Sequence, residues 1–540
     1  MKNFVLILLL LAHAAAAQTY DIIIRNGTVY DGSGNAPVKT DIGIRKDTIA
    51  FVGDLSGKKA GRIIDATGLA VAPGFINMLS WADGTLLTDG NATSDIMQGI
   101  TLEVFGEGLS PAPVKRKAGD NRWTTLDGYF KTLLSKGISP NVASFVGATT
   151  VRIHEIGYAN RPPTAEELTR MKKLVQQAME QGAMGLGSSL IYAPATYAST
   201  EELIELSKVA GSYGGMYITH MRSEGDFILP AINETIRISS EGNLPAEIYH
   251  LKINIQRNWP KIDSVINKID SARNAGIRIS ANMYPYNASA TGLTSRLPTW
   301  VQEGGNAEMR KKLLKPDIRK KVLYEMEAGI PYKNSEPENV VLMGFRLDSL
   351  NRLYKGKRLS EVARLHGKNA DETVVDLVVR DKTRIEALYH LQSEDNVRRI
   401  AALPWVSYGS DAGAFTIVPG KNNLPDHPRA FGTFAKILGS YVREENLLSL
   451  QEAIRKMTSM PAANLKLKKR GTLANGFFAD VVIFDPEKIA APASFDKPHQ
   501  YSTGMVYVLV NGTLVLEKGM HTGAKPGRII RGPGYRQEGR

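Results

Sequence analysis

Between residues 72 and 465, short apolar runs alternate with longer amphipathic ones, and this alternation restricts the fold more than any other feature. The strand candidates are GFINM (74–78), TLEVF (101–105), NVASFVG (141–147), AMGLGSS (183–189), MYITH (216–220), EIYHLK (247–252), IRISANMY (277–284) and VSYGSD (406–411). Helical stretches lie between them. TAEELTRMKKLVQQAMEQG (164–182) opens on a capping threonine and closes at a glycine. Parallel strands joined by helices are covered on both faces, so they read as unbroken apolar runs. Eight of them over roughly 390 residues predict a (β/α)8 barrel of the TIM type. EALYHL (386–391) is one strand-like run more than that count needs. From residue 287 to about 340 the rhythm breaks and charge, proline and glycine accumulate, which predicts a lid inserted over the barrel mouth.

The two chain ends have a different texture. YDIIIRNGTVYDG and DIGIRKDTIAFVG near the start alternate apolar and polar residues around an Asn-Gly turn, as do ADVVIFD (479–485) and MVYVLVNGTLVLEKG (505–519) near the finish. Neither end has enough strands to stand alone. A small β-sandwich built from residues 19–71 and 466–530 together is the expected solution. Residues 1–18, MKNFVLILLLLAHAAAAQ, read as a secretory signal: one lysine, an apolar run from Phe4 to Leu11, then small residues ending at Ala17. The run is short for a membrane span. The expectation is a periplasmic or secreted protein with no membrane anchor after cleavage. The chain has no cysteine, so no disulfide supports the fold. Net charge is +13, but the basic runs at 115–117, 311–312, 319–321 and 466–470 lack interleaved aromatics. They read as solvated surface, and nucleic acid is not an expected partner.

Barrel enzymes keep their chemistry at the C-terminal ends of the strands. His220, His250 and Asp411 each end a candidate strand, in YITH, YHLK and YGSD. Two imidazoles and a carboxylate from neighbouring strand ends suit zinc and leave a coordination position for water. Elsewhere, His154, His366, His499 and His521 read as structural, and His13 leaves with the signal. His390, at the end of EALYHL, could face the site.

The phrases NGTVYDGSG, IDATGLAVAPGFI, GSSLIYAPATYAST, YITHMRSEG, EIYHLK, NMYPYNAS, YGSDAG and HPRAFGTFAKILG, taken together, carry a resemblance. From about Tyr20 to Gly519 the chain resembles the D-aminoacylase (N-acyl-D-amino-acid deacylase) branch of the amidohydrolase superfamily. That resemblance implies a metal-bearing barrel beside a small β-domain, and hydrolysis of N-acyl-D-amino acids to a carboxylic acid and a D-amino acid. It implies that His220 and His250 bind metal and that Asp411 is the general base and acid. It implies that Lys252, Tyr284 and Arg429 hold or flank the substrate carboxylate, and that Tyr192 lines the site.

The departures are as informative. The resemblance calls for two histidines just after the first strand, where this chain has Leu79 and Trp81. It calls for a metal-binding cysteine after the second strand, where this chain reads VFGEGLSPAP, and for a histidine after Gly147, where Ala148 stands. A two-metal centre is therefore not expected. One zinc ion held by His220, His250 and Glu107 is, with Glu103 as the second candidate for the third ligand. A cyclic amide or a dipeptide with a D-residue would suit the same site. A deaminase commonly needs the missing histidines. A binding protein that kept the barrel without catalysis is the alternative from another class.

Overall fold

The computed structural model describes residues 20–115, 122–329, 335–418, 420 and 424–537. The expected signal, residues 1–18, lies outside them. No helix among the described residues is long and apolar enough to cross a membrane.

The apolar runs of the middle form parallel strands. β1 (Phe75–Asn77), β2 (Ile100–Phe105) and β3 (Asn141–Ser144) pair in that order. β4 (Val146–Gly147), β5 (Gly185–Ser189), β6 (Met216–His220), β7 (Ala246–Ile248), β8 (Ile279–Met283) and β9 (Val406–Tyr408) form a second parallel sheet in that spatial order. Every residue of β2, β5, β6 and β8 is buried, as expected of strands covered on both faces. Only Phe145 separates β3 from β4, so one stretch of chain belongs to both sheets. At the other seam the Met78 N–H donates to the Tyr408 carbonyl at 3.3 Å, and Ser80 bridges to Ala412 in parallel. The helices between strands follow their caps. Thr164 accepts from the Glu167 N–H, and the Glu167 carboxylate accepts from the Thr164 N–H, opening Ala165–Glu180.

Both chain ends meet in one hydrogen-bonded sheet of nine strands. Tyr20–Val29 runs antiparallel to Val38–Arg45 and parallel to Ala60–Asp65 and Ala70–Pro73. Ala70–Pro73 in turn takes Val481–Phe484, from the far end, as an antiparallel neighbour. Ile22, Ile24, Ile42, Ile44, Val481 and Leu509 gather into one apolar cluster, the product of the alternating pattern at both ends.

The excursion expected at about 287–340 runs further. Ser289–Gly292, Val340–Gly344 and Glu386–Tyr389 form an antiparallel sheet with the last in the middle. A separate apolar cluster extends from Leu293 to Leu391. EALYHL is thus the central strand of the insertion. Its boundary is not marked in the sequence because the helices Asp348–Tyr354, Leu359–His366 and Ala370–Asp381 carry the same amphipathic texture as those between the parallel strands.

Candidate active site

A cavity of about 1310 Å³ opens where the C-terminal ends of the parallel strands face the insertion. His220, His250, Lys252, Tyr284, Asp411 and Arg429 all line it. His220 is the last residue of β6. His250 lies two residues past β7, in a turn with φ +35°, and Asp411 lies three past β9 with φ +51°. Such backbone is uncommon for residues other than glycine and concentrates at functional sites.

Glu107 reaches the histidines because of the glycines beside it. Gly106 and Gly108 have φ of +110° and +71°. A Cβ on Gly108 would fall 2.6 Å from the Ser189 Cβ. Across the contact, a Cβ on Gly147 would fall 2.2 Å from the Gly108 carbonyl oxygen, and one on Gly187 2.0 Å from that of Gly106. The loop therefore lies flat on β4 and β5, and the side chain between its glycines is directed inward. Glu107 Oε1 is 2.9 Å from His220 Nδ1 and 2.9 Å from His250 Nε2. Burial opposes its charge, but the two imidazoles outweigh burial and hold the carboxyl well below its ordinary range.

These three residues offer one oxygen and two nitrogen atoms within 4.8 Å of one another, all buried. That donor set fits zinc, which takes imidazole and carboxylate ligands in a tetrahedral arrangement. The outer atoms fit too. Glu224 Oε1 lies 3.1 Å from His250 Nδ1 and 2.6 Å from Lys252 Nζ, and 3.8 Å from His220 Nε2, which has no hydrogen-bond partner among the described residues. A carboxylate behind a metal-binding histidine makes it a better ligand, and Glu224 is placed to do so for His250, whose Nδ1 also meets Lys252 Nζ at 2.6 Å.

Asp411 is gripped from two sides. Arg429 Nη1 donates to Oδ2 at 2.6 Å, and the Trp81 indole N–H donates to Oδ1 at 3.0 Å. The Arg429 guanidinium lies over the Tyr284 ring, 4.8 Å from its centroid, and the Lys252 ammonium lies 5.5 Å from the same centroid. His427 Nδ1 accepts the Arg429 backbone N–H at 3.1 Å, so the proton sits on Nε2, 2.9 Å from the Ala288 carbonyl oxygen. Burial and the Arg429 charge keep this histidine neutral, well below its ordinary pKa. Tyr192 donates to or accepts from Thr291 Oγ1 at 2.9 Å, with its ring 5.3 Å from that of His220.

Two candidates lie apart from the metal group. Glu103, on β2 itself, is fully buried away from the cavity lining, where Asn77 Nδ2 donates to it at 2.9 Å. Its strand neighbours Leu102 and Val104 pack with Ile76, Met78 and Ala143, so alternation turns Glu103 to the opposite face. His390 meets the Phe495 ring edge to face, with centroids 5.0 Å apart, and lines a smaller neighbouring cavity. Glu224, His427 and the Trp81 donor were not read from the sequence. The only signal for Glu224 was an acid four residues after a strand-end histidine.

Glu103 leads to a testable consequence. Burial pushes it up to about 7, against hydrogen bonds from Ser80, Asp95 and Asn77. The buried Asp95 is raised as well, by burial and by the Glu103 charge. A folded-state pKa above the unfolded one means that the folded chain binds more protons between the two values. The stabilisation is fully present below the ordinary carboxylate pKa of 4.5 and is lost as pH rises through about 7. Glu103→Gln, which replaces the proton with an amide N–H, should flatten the fall of Tm across that window. An unchanged Tm profile would count against a shared proton here.

Comparison with known proteins agrees with this site. A family model described as "Amidohydrolase family" matches residues 406–516. The D-aminoacylase of Alcaligenes xylosoxydans xylosoxydans is 33% identical over 526 residues, covering 95% of this chain and 98% of its own. The chain belongs to the D-aminoacylase family of amidohydrolases. Among solved structures, the N-acyl-D-glutamate deacylase of Bordetella bronchiseptica, complexed with zinc and a phosphonate mimic of the tetrahedral intermediate, matches with a TM-score of 0.79. It is 28% identical, over 95% of this chain and 100% of that one. A D-aminoacylase studied for its binuclear metal centre, described as activated by one metal and attenuated by the second, also matches with a TM-score of 0.79. Its identity is 32%, with 95% and 100% covered. The amidohydrolase-type α/β fold of this family member is therefore the fold of those enzymes. Leu79, Trp81, Glu107 and Ala148 stand where the resemblance calls for metal ligands.

Proposed function

We propose that the protein hydrolyses the amide bond of N-acyl-D-amino acids, releasing a carboxylic acid and a D-amino acid, with a single zinc ion. The observation that carries this reading is the convergence of Glu107, His220 and His250 in the same cavity as Asp411 and Arg429. Zinc held by that triad would supply Lewis-acid polarisation of the acyl carbonyl and lower the pKa of water. Asp411 takes a proton from the attacking water and returns it to the leaving nitrogen, so that one water is consumed per amide cleaved. Arg429 keeps guanidinium donors beyond the one on Asp411, and with Lys252 and Tyr284 it forms the cationic wall that receives the substrate carboxylate. The insertion that covers the cavity excludes bulk water and contacts the acyl group.

In this reading the two parallel sheets, joined through Phe145 and at the Met78–Tyr408 seam, close into one (β/α)8 barrel. The nine-stranded sheet curls over its isoleucine cluster as the small β-sandwich. The N-terminal apolar run and its small-residue end support export to the periplasm or beyond.

The test is elemental analysis of the purified protein together with assays on paired N-acyl-D- and N-acyl-L-amino acids. About one equivalent of metal, lost in the His220→Ala/His250→Ala double variant, with turnover of the D series, is the expected result. No metal after zinc reconstitution would sink the proposal. Excess zinc should leave the rate flat, because Leu79 and Trp81 offer no ligand for a second ion. A rate that falls with a second equivalent would show that another site exists.

A further inference from the structure

We propose that Trp81 is the positioning residue for Asp411, its indole N–H doing by hydrogen bonding what the missing histidines leave undone. This rests on the amidase reading of Asp411.

The backbone around Asp411 ties it to the end of the first parallel strand. The Asp411 N–H donates to the Leu79 carbonyl at 2.9 Å, and the Trp81 N–H donates to the Ala412 carbonyl at 2.9 Å. Leu79 itself is fully buried, and a Cβ on Gly409 would lie 2.8 Å from the Leu79 Cβ, so the two segments are in direct contact. Trp81 and Asp411 are therefore held on one hydrogen-bonded seam. The carboxylate sits on a backbone with φ +51°, which fixes its Cβ but leaves its side-chain torsions to be set by partners.

The partners differ in kind. Arg429 holds Oδ2 and carries a full charge that the substrate carboxylate also attracts. The indole holds Oδ1 with a neutral donor that cannot titrate and cannot be drawn away by an anion. When Arg429 turns part of its grip to the substrate, the Trp81 bond is the one that keeps the Asp411 plane in place. Oδ1 keeps its other lone pair for the water proton. Trp81 is 36% exposed and lines the same cavity, so its ring also shields the bond from solvent on one side. A histidine at residue 81 would serve a metal. An indole has only a donor and serves a carboxylate.

Three measurements test this. Trp81→Phe keeps the ring and deletes the N–H. Its kcat should fall at least ~10-fold with KM within about twofold and metal content unchanged, as a mis-set general base requires. Trp81→Ala should add a rise in KM. The third measurement needs no substrate: in protein with 15N-labelled tryptophan, the indole resonance missing from Trp81→Phe should move in Asp411→Asn. A kcat within twofold of wild type in Trp81→Phe, a loss carried by KM alone, or an indole resonance indifferent to Asp411→Asn would each overturn the assignment. If no N-acyl-D-amino acid is turned over at all, the amidase reading fails, and the resonance still decides whether the bond exists.

Discussion

Replacing Asp411 with asparagine is expected to lower kcat by about 10³-fold, within the range that a general acid and base contributes. The amide fills the carboxylate's volume, and its oxygen still accepts from one of the two donors, Trp81 or Arg429. Its NH₂ group cannot accept a proton from water. Asp411 is held by Arg429 and Trp81, whereas Glu107 bonds the two histidines, so the metal group should be intact. Steady-state kinetics with metal analysis and far-UV circular dichroism on the same preparation check the prediction. Activity near that of wild type would remove Asp411 from the chemistry. A loss of metal in parallel would mean that its role is coordination.

The second large effect is expected at Glu107, where two substitutions should part company. Glu107→Gln removes the only carboxylate of the triad, leaving a neutral amide oxygen that is a poor zinc ligand. Zinc affinity should fall by more than ~100-fold, beyond the loss typical of outer residues of a metal site. The buried His250 and Lys252 would then share Glu224 alone. Removing one partner from a buried charge set costs about 3 kcal/mol or more, so Tm of the metal-free variant should drop too. Glu107→Cys restores an anionic ligand of the type zinc prefers and should retain about one equivalent. Competition against a chromogenic chelator and thermal unfolding would measure both. Equal zinc affinity for the two variants would exclude Glu107 as a ligand.

Local pattern was enough for several features. Alternating apolar and amphipathic segments located the parallel strands, and the strand-end rule brought His220, His250 and Asp411 forward. Those are short-range properties: side-chain period, cap chemistry and run length are written in neighbouring residues. The same rule placed two of the three slightly wrong. His250 and Asp411 sit beyond their strands on backbone with positive φ, since strand pairing ends earlier than the apolar run does. The insertion's true extent was hidden because its core from Leu293 to Leu391 joins residues nearly a hundred apart.

Which residues meet was a matter for the tertiary structure. The phrase VFGEGLSPAP leaves Glu107 and Glu103 both open; two glycines lying on the backbones of β4 and β5 bring Glu107, and not Glu103, to the two histidines. Glu224 gained its place from a loop that folds back over His250 and Lys252. In the sequence Trp81 stands where the resemblance calls for a metal-binding histidine. Its N–H on Asp411, 330 residues away, depends on the seam between the first and last parallel strands. The sequence by itself determined which chemistry the chain could carry, through residue types and their strand-end positions. The partner of each group was left to long-range packing, because a hydrogen bond three ångströms long requires both ends of the chain to be placed first.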